Sequence, residues 1–297
     1  MHYTGKKLIG IGLNTWNSSK KIKTLLKSLK KQTNQNFCLY VLDNKSKDNT
    51  KNIILSFKNY INIKFYTDIK KRDIPSSQKI LIKKYLRNHK FSMIVNDDDK
   101  YNSDFISKVV DYINRYDYDM VYTNYNLFNE KKTLYLKNYP IYNSNRFANI
   151  IKFLIYRNIV PIFFGIYRTE TLVDAIKYYN PILKTKSNYD NLFMLYYLSN
   201  YKIGYVKKIL FSYYIKNRLK IDEEKGGYKV IYDEYRSLIF IFFIQFYLKK
   251  KFLQFFIKSK KYNYFQKIFI MILCVIIYFQ KCISYNFKFI WRKLFFK

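Results

Sequence analysis

Short apolar runs alternate with longer amphipathic segments through the first part of the chain. The short runs have the length of buried strands, and apolar residues in the longer segments recur at helical spacing. This pattern predicts strands over 7–13, 37–42, 61–66 and 91–95 and helices over 18–31, 48–57 and 76–86. Such alternation is typical of an α/β fold with a mostly parallel sheet and helices on both faces.

The middle of the chain, from about 118 to 215, has a less regular pattern. A helix is predicted to begin at Ser103-Asp104, because apolar residues then recur on one helical face. Further segments predicted are strands over 118–125, 162–167 and 203–214 and short helices over 169–178 and 190–199.

Polar residues follow three of the predicted strands. Asn14-Thr15-Trp16-Asn17 follows the first strand, Asp43-Asn44-Lys45-Ser46 the second and Asn96-Asp97-Asp98-Asp99 the fourth. In parallel sheets of this kind, ligands bind beyond the carboxyl ends of the strands. These three loops are therefore expected on one edge of the sheet, where they would form a site.

The loop after the fourth strand contains three adjacent carboxylates, Asp97, Asp98 and Asp99. Like charges this close are tolerated when a cation or a solvated turn absorbs them. Magnesium or manganese, bound by one or two carboxylates and by substrate phosphates, fits the run. A solvated acidic turn before the next helix is the alternative, and the run alone leaves both open.

Composition narrows the function classes. The chain has 55 Lys+Arg and 20 Asp+Glu, a formal net charge of +35, which is typical of proteins that meet nucleic acid or an anionic membrane. Compositional drift is an alternative source of part of this charge, since Lys, Asn, Ile, Tyr and Phe all have AT-rich codons. The two histidines, His2 and His89, argue against a histidine-built zinc site.

The cysteines and the first residues indicate a reducing compartment. Cys38, Cys274 and Cys282 form no C-x-x-C pair, so free thiols are expected. The first residues run into a strand pattern without a signal-peptide core, and a cytoplasmic location is expected.

The C-terminal region differs in composition from the rest. Residues 235–297 contain no acidic residue, 13 Lys/Arg and 21 aromatic residues. Two apolar runs, 238–248 and 268–279, are shorter than the roughly 20 residues that span a bilayer. We expect a domain over 1–215 and a helical region over 216–297 that lies on an anionic membrane surface. A helical appendage that packs on the core is the alternative.

Taken together, these segments resemble the family 2 glycosyltransferases, which have the GT-A fold, from about residue 7 to about 214. The loop Asn14-Thr15-Trp16-Asn17 is similar to a P-T-Y-N loop, and 37–50 is similar to a strand ending in D-D-G-S-x-D-x-T. Segment 93–105 resembles the D-x-D strand and turn, and 164–170 a strand-to-helix step near the acceptor site.

The resemblance implies a site for a nucleotide-sugar. It implies that Asp43 accepts a hydrogen bond from the base, that Trp16 stacks on it and that Asp98 binds Mn2+ or Mg2+. The sequence departs from the family pattern at Asn96, where an acid is usual, and in lacking the arginine of G-x-S-x-A-R-N after Ser77. The nucleotide-sugar-binding residues that it implies are Thr15, Trp16, Asn17, Asp43, Asn44, Ser77, Asn96 and Asp97.

The resemblance also implies a catalytic base. The family has an E-D pair at a helix start, and the corresponding run here offers Asp190, for which a helix N-cap is the alternative role. It implies inverting, metal-dependent transfer from a UDP-sugar to a glycan or lipid-linked acceptor, in surface polysaccharide synthesis at the inner face of the membrane.

Two other functions stay open at this point. One is a catalytically inactive scaffold that binds a sugar nucleotide. The other is a basic nucleic-acid-binding protein, although no recognisable nucleic-acid module is present and no specific nucleic-acid partner is expected. Gly10 and Gly12 lack the third glycine of a dinucleotide fingerprint, so oxidoreduction with a dinucleotide is set aside.

Overall fold

The computed structural model describes residues 7–129, 133–135, 141–156, 163–179, 189–214, 220–222, 227–229 and 238–295. The helices are α1 (Ile22–Lys30), α2 (Thr50–Leu55), α3 (Ile74–Ile80), α4 (Phe105–Tyr116), α5 (Arg146–Tyr156), α6 (Thr169–Ala175), α7 (Tyr189–Asn200), α8 (Leu238–Lys258) and α9 (Tyr264–Phe295). The strands are β1 (Ile9–Thr15), β2 (Phe37–Asp43), β3 (Ile63–Thr67), β4 (Phe91–Val95), β5 (Lys100–Tyr101), β6 (Met120–Phe128), β7 (Thr133–Tyr135), β8 (Ile166–Arg168), β9 (Ile203–Tyr214), β10 (Lys220–Asp222) and β11 (Gly227–Lys229).

One mixed sheet organises the chain. Its strand order is β3-β2-β1-β4-β8-β6-β9-β5, with β7 beside β6. Strands β3, β2, β1 and β4 are parallel, β8 runs antiparallel to its neighbours β4 and β6, and β9 is parallel to β6. The predicted α/β fold with a mostly parallel sheet is confirmed.

The register of the parallel strands brings their carboxyl ends together. Thr15 at the end of β1 lies opposite Asp43 at the end of β2, and Leu13 lies opposite Val95 at the end of β4. The three polar loops that follow these strands therefore leave the same edge of the sheet.

Several elements are shifted by a few residues from their predicted bounds, and two segments differ more clearly. The strand predicted over 162–167 is reduced to Ile166–Arg168 among the described residues. The helix predicted over 76–86 begins earlier, because the Asp73 carboxylate caps it by accepting from Ser76 N, and it continues as a π-helical turn over Leu81–Leu86.

Strand β1 lies between β2 and β4 and is buried on both faces. Ile9, Ile11 and Leu13 are fully buried on the face toward α1. On the other face, a Cβ added to Gly10 would meet His89 Cδ2 at 2.7 Å, and one added to Gly12 would meet Ile94 Cδ1 at 2.9 Å. These glycines therefore permit close packing against β1.

The C-terminal helices pack on the α/β domain. Phe252 and Phe256 of α8 are fully buried in the same hydrophobic cluster as residues of α5 and α7. In the turn before α9, the Tyr262 hydroxyl donates to Ser199 O at 2.6 Å and Lys261 Nζ to Asn200 O at 2.6 Å. Within the described residues, no helix has both the length and the apolar content that a membrane crossing needs.

Candidate active site

The loops after β1 and β2 are joined by backbone hydrogen bonds. Asn44 N donates to Thr15 O at 2.8 Å, and Asp68 N, directly after β3, donates to Asp43 O at 2.8 Å. The ends of these three strands therefore form one continuous rim at the carboxyl edge of the sheet.

Asp97 is held by two hydroxyl groups from the first loop. Thr15 Oγ1 donates to Asp97 Oδ2 at 2.8 Å, and the Ser18 hydroxyl donates to the same oxygen. Ser18 is itself fixed, because its backbone N donates to Thr50 Oγ1 at 2.8 Å. Since charged acceptors form the stronger hydrogen bonds, these contacts fix the acidic turn against β1.

Asp99 has a structural position in the same turn. Its carboxylate is fully buried and accepts from Tyr214 N at 2.8 Å and from Asn96 Nδ2 at 3.1 Å. Burial and the neighbouring Asp98 charge raise the pKa of Asp99 well above its usual range. An amide at position 96 therefore supplies a hydrogen-bond donor where a carboxylate would add repulsion.

Asp98 is the carboxylate of the turn that faces a cation. Its side chain is 17% exposed, and Lys21 Nζ lies 3.6 Å from Asp98 Oδ2. The same ammonium lies 4.2 Å from the centre of the Tyr214 ring, a cation–π contact. Lys21, just before α1, thus places a positive charge beside the predicted metal ligand.

Asp43 and Asn17 shape the second loop. Asp43 is buried, and its two carboxylate oxygens accept from Ser46 N at 3.0 Å and Ser46 Oγ at 2.5 Å. Asn17 Oδ1 accepts from Lys47 N at 2.8 Å, and Asn17 itself has a positive φ of 48°. An asparagine suits this left-handed backbone, since it tolerates positive φ better than most residues.

Asn44 fixes a basic segment next to the rim. Its side chain donates to Arg72 O at 2.7 Å and accepts from Arg72 N at 2.8 Å, and Arg72 Nε contacts both Asp68 oxygens. Trp16 is 48% exposed and has Lys71 Nζ 3.7 Å from its ring centre. The rim therefore carries an accessible aromatic ring with cationic neighbours.

Ser77 lies behind the rim. It is fully buried in α3, and its hydroxyl has no hydrogen-bond partner among the described residues. The side-chain oxygen of Asn14 in β1, the strand on which α3 packs, is also buried, and no described residue forms a hydrogen bond with it. In this arrangement Ser77 does not line the exposed part of the site.

Asp190 lies in the first turn of α7, which begins at Tyr189. Burial raises the pKa of Asp190 to about 6, although the backbone N–H groups of Asp190 and Asn191 partly oppose this effect. A carboxylate with this pKa is mostly ionised at neutral pH and is still a stronger base than an ordinary aspartate.

The direction of α7 places Asp190 toward the carboxyl edge of the sheet. The helix ends at Asn200, close to Lys202, whose N donates to Asp119 Oδ2 at 2.6 Å at the opposite edge. Earlier in the helix, the Phe193 ring lies 5.8 Å from the Phe163 ring. The next residue, Phe164, has its ring 5.9 Å from that of Tyr213, which lies near the carboxyl end of β9. Asp190 precedes Phe193 by about one helical turn and therefore lies further toward the carboxyl edge of the sheet.

The donor set at the rim suits a cation that binds mainly through its substrate. Among the described residues, no group of three or more His, Cys, Asp or Glu side chains is arranged to hold a metal alone. Asp98 offers one carboxylate, while Asp97 and Asp99 are engaged by hydroxyl, amide and backbone donors. One carboxylate plus phosphate oxygens is a common arrangement for Mg2+, so these residues fit such an ion.

The sequence comparison decides the family. The profile described as glycosyl transferase family 2 matches residues 11–172, more than half of the chain. The chain belongs to glycosyl transferase family 2. The matched segment of this glycosyltransferase includes the rim residues from Thr15 to Asp98, whereas Asp190 lies beyond it. A comparison with curated proteins finds no match.

Solved structures of glycosyltransferases share the fold of this family 2 member. TarS 1-349 of S. aureus in complex with UDP-GlcNAc is 20% identical, with a TM-score of 0.65 over 87% of this chain and 69% of that chain. The mannosyltransferase PcManGT of Pyrobaculum calidifontis in complex with GDP-Man and Mn2+ is 11% identical, with a TM-score of 0.52 over 88% and 67%. The predicted GT-A fold is confirmed.

Sequence reasoning missed three residues of the glycosyltransferase rim: Ser18, Lys21 and Arg72. Ser18 directly follows the first polar loop, so its position was a usable signal. Lys21 and Arg72 are single members of a set of 55 Lys+Arg, and only the fold distinguishes them from solvated charges.

Proposed function

We propose that this enzyme transfers a sugar from a nucleotide-sugar, a UDP-sugar, to a hydroxyl group of a glycan or a lipid-linked glycan. The observation that carries the proposal is the rim, where Thr15 and Ser18 fix Asp97 and Asp98 lies beside Lys21, which follows the loop of β1. The complexes of the two structural neighbours, with UDP-GlcNAc and with GDP-Man and Mn2+, support this class of donor.

The nucleoside would bind across the first two loops. The Asp43 carboxylate accepts from Ser46, and each of its oxygens has a further lone pair for a uracil N–H. Trp16 offers a half-exposed ring for stacking on the base. Asn17 and Asn44 hold these loops in place, and Asn96 donates to Asp99 in the acidic turn, whereas Ser77 lies buried behind the rim.

The diphosphate would lie over the acidic turn. Asp98 would hold Mn2+ or Mg2+ there, and such an ion neutralises the charge that develops on the departing diphosphate. The Lys21 ammonium adds a positive charge on the same side of the turn. Asp97 remains fixed by its two hydroxyl donors and presents the turn to the ribose and the phosphates.

Asp190 would act as the general base. The acceptor hydroxyl oxygen attacks the anomeric carbon, its proton passes to the Asp190 carboxylate, and the bond between that carbon and the diphosphate oxygen breaks. A single displacement of this kind inverts the anomeric configuration. The pKa of about 6 suits the role, because the group is ionised before the reaction and still accepts a proton readily.

Donor binding tests this proposal before any acceptor is known. Calorimetric titration of UDP and GDP, with and without Mn2+, should show metal-dependent binding with a preference for UDP. Asp98→Ala should reduce the metal-dependent affinity at least about tenfold, since it removes the expected carboxylate ligand. Asp104→Ala is the matched control, because Asp104 is a nearby carboxylate that pairs with Lys108.

The titration also separates the rival functions. If wild type and Asp98→Ala bind UDP with equal affinity in the presence of Mn2+, Asp98 is not a metal ligand. No binding of either nucleotide, together with salt-sensitive retention on a polyanion, would instead favour nonspecific binding of nucleic acid through the net charge of +35.

A further inference from the structure

Within the described part of the chain, the outward face of α9 carries six exposed apolar side chains: Phe265, Phe269, Ile272, Val275, Ile276 and Phe279. Phe265 is 80% exposed, and the other five are about half exposed. The residues recur at intervals of three and four, so they form one stripe along the helix. Ile270, Cys274 and Ile277 on the inward face are buried against the domain.

The stripe has the area of a large exposed apolar patch. A half-exposed large side chain presents on the order of 100 Å2, so the six residues present on the order of 500 Å2 of mainly apolar area. This area matches the largest contiguous apolar patch of a typical soluble monomer, and such a patch is often an interaction site. The face spans Phe265 to Phe279, roughly 21 Å along the helix axis.

The charge around the stripe selects the partner. Lys258 and Lys260 are exposed in the region that leads into α9, and residues 235–297 contain 13 Lys/Arg and no acidic residue. A second copy would bring an equal positive charge against this surface, whereas an anionic lipid surface would complement it. An amphipathic helix with basic flanks and an apolar face lies in the interface plane of a bilayer.

We propose that the outward face of α9 inserts into the headgroup region of an anionic lipid bilayer and docks the glycosyltransferase on its surface. The buried Phe252, Phe256 and Tyr262 fix the α8–α9 pair on the α/β domain, so membrane docking would carry the whole domain with it. The proposal does not depend on the sugar donor or on the catalytic base.

Vesicle flotation of the full chain tests the docking surface. The protein should float with phosphatidylglycerol-containing vesicles and much less with pure phosphatidylcholine vesicles. Ile272→Glu should reduce partitioning at least about tenfold, since it places a charge in the inserted stripe. Ile209→Glu is the matched control, because Ile209 is exposed on β9, outside the tail, and undergoes the same change in charge.

Three results would overturn the proposal. The first is flotation of Ile272→Glu equal to that of wild type, and the second is absence of flotation with either vesicle. The third is a concentration-dependent dimer, measured by sedimentation, that Ile272→Glu abolishes while vesicles fail to bind, which would assign the face to a second copy. An unchanged melting temperature of Ile272→Glu, and unchanged UDP binding, would show that lost flotation is not a loss of folding.

Discussion

Replacing Asp190 with Asn should have opposite effects on activity and stability. Loss of the proposed base should reduce kcat by about 10²- to 10⁴-fold, the usual contribution of general-base catalysis. The same substitution should stabilise the folded enzyme at neutral pH. The reason is that burial raises the pKa of Asp190 to about 6 from an ordinary value of 3.8, so folding disfavours its charged form.

The magnitude follows from the two pKa values. A difference of about 2 in pKa, at about 1.4 kcal/mol each, makes the ionised Asp190 destabilising by about 3 kcal/mol. Below pH 3.8 the carboxyl is protonated in both folded and unfolded chains, so the penalty is absent. It grows as pH rises through the window from about 4 to 6 and is complete above it. Asp190→Asn removes the penalty at every pH.

Urea unfolding of wild type and Asp190→Asn between pH 4 and 7 measures this effect. The variant should gain stability with rising pH relative to wild type, and the gain should level off above pH 6. Asp174→Asn is a control of opposite sign. Although burial acts to raise the pKa of Asp174, hydrogen bonds from Lys177, Tyr196 and Tyr201 outweigh it and hold the pKa below the ordinary value.

Activity against pH provides the second measurement on Asp190. With a pKa of about 6, the ionised fraction falls about tenfold between pH 7 and pH 5, whereas an ordinary aspartate would change by less than about a tenth. The reasoning is refuted if Asp190→Asn is no more stable than wild type at pH 7, or if its advantage is the same at pH 4.

Three further predictions concern the rim and the tail. Thr15→Val should weaken UDP binding several-fold, because it removes one of the two hydroxyl donors to Asp97. Thr33→Val, at an exposed site, is the control. An unchanged affinity of Thr15→Val for UDP would contradict the role of this contact. Lys21→Met should raise the Mn2+ affinity of the nucleotide-free enzyme about fivefold, because it removes a positive charge 3.6 Å from Asp98. Electron paramagnetic resonance measures this affinity, and a weaker affinity in the variant would argue against Asp98 as the ligand. Phe256→Ala should lower the free energy of unfolding by about 3–5 kcal/mol, since this side chain of α8 is fully buried on the domain. Phe265→Ala is the control, because Phe265 is exposed and its loss should have little effect. Equal effects of the two substitutions in urea unfolding would mean that α8 is not part of the core.

The parallel half of the sheet could be predicted because its strands are short and mostly apolar runs. The observed β2 and β4 differ from the predicted ranges by one residue at most, and the loops at their carboxyl ends follow from the geometry of parallel strands. The predicted family and fold are confirmed for the same reason, since the matched profile covers these segments. Strand β8 was harder, because a three-residue strand leaves no periodic pattern to detect.

The chemistry of the rim could be located from sequence but not resolved. Asp97, Asp98 and Asp99 are chemically identical neighbours, and only contacts from distant segments give them different environments. One of the two hydroxyl groups that donate to Asp97 belongs to Thr15, 82 residues away. The backbone N–H that donates to Asp99 belongs to Tyr214, 115 residues away. No local pattern records such pairings.

In the tail, α8 extends beyond the apolar run that the sequence shows. The apolar run over 238–248 stops at lysines 249–251, while α8 continues to Lys258. The Lys249 side chain is buried, with its ammonium 5.6 Å from the Tyr278 ring centre, so an aromatic neighbour on α9 accommodates the charge within the helix pair. The boundary between a domain over 1–215 and a region over 216–297 stays a prediction. Because α8 shares a hydrophobic cluster with α5 and α7, a truncation after residue 215 would test whether the first segment folds alone.

Release of nucleoside diphosphate from a panel of sugar nucleotides tests the central claim most directly. With Mn2+ present, wild type should release UDP from one UDP-sugar, by hydrolysis or by transfer to an added glycan. Chelation of the metal, Asp98→Ala and Asp190→Asn should each abolish this release, whereas Asp104→Ala should not. Release that persists undiminished in Asp98→Ala and in chelator would contradict the account, because the carboxylate at the strand edge would then have no part in the reaction.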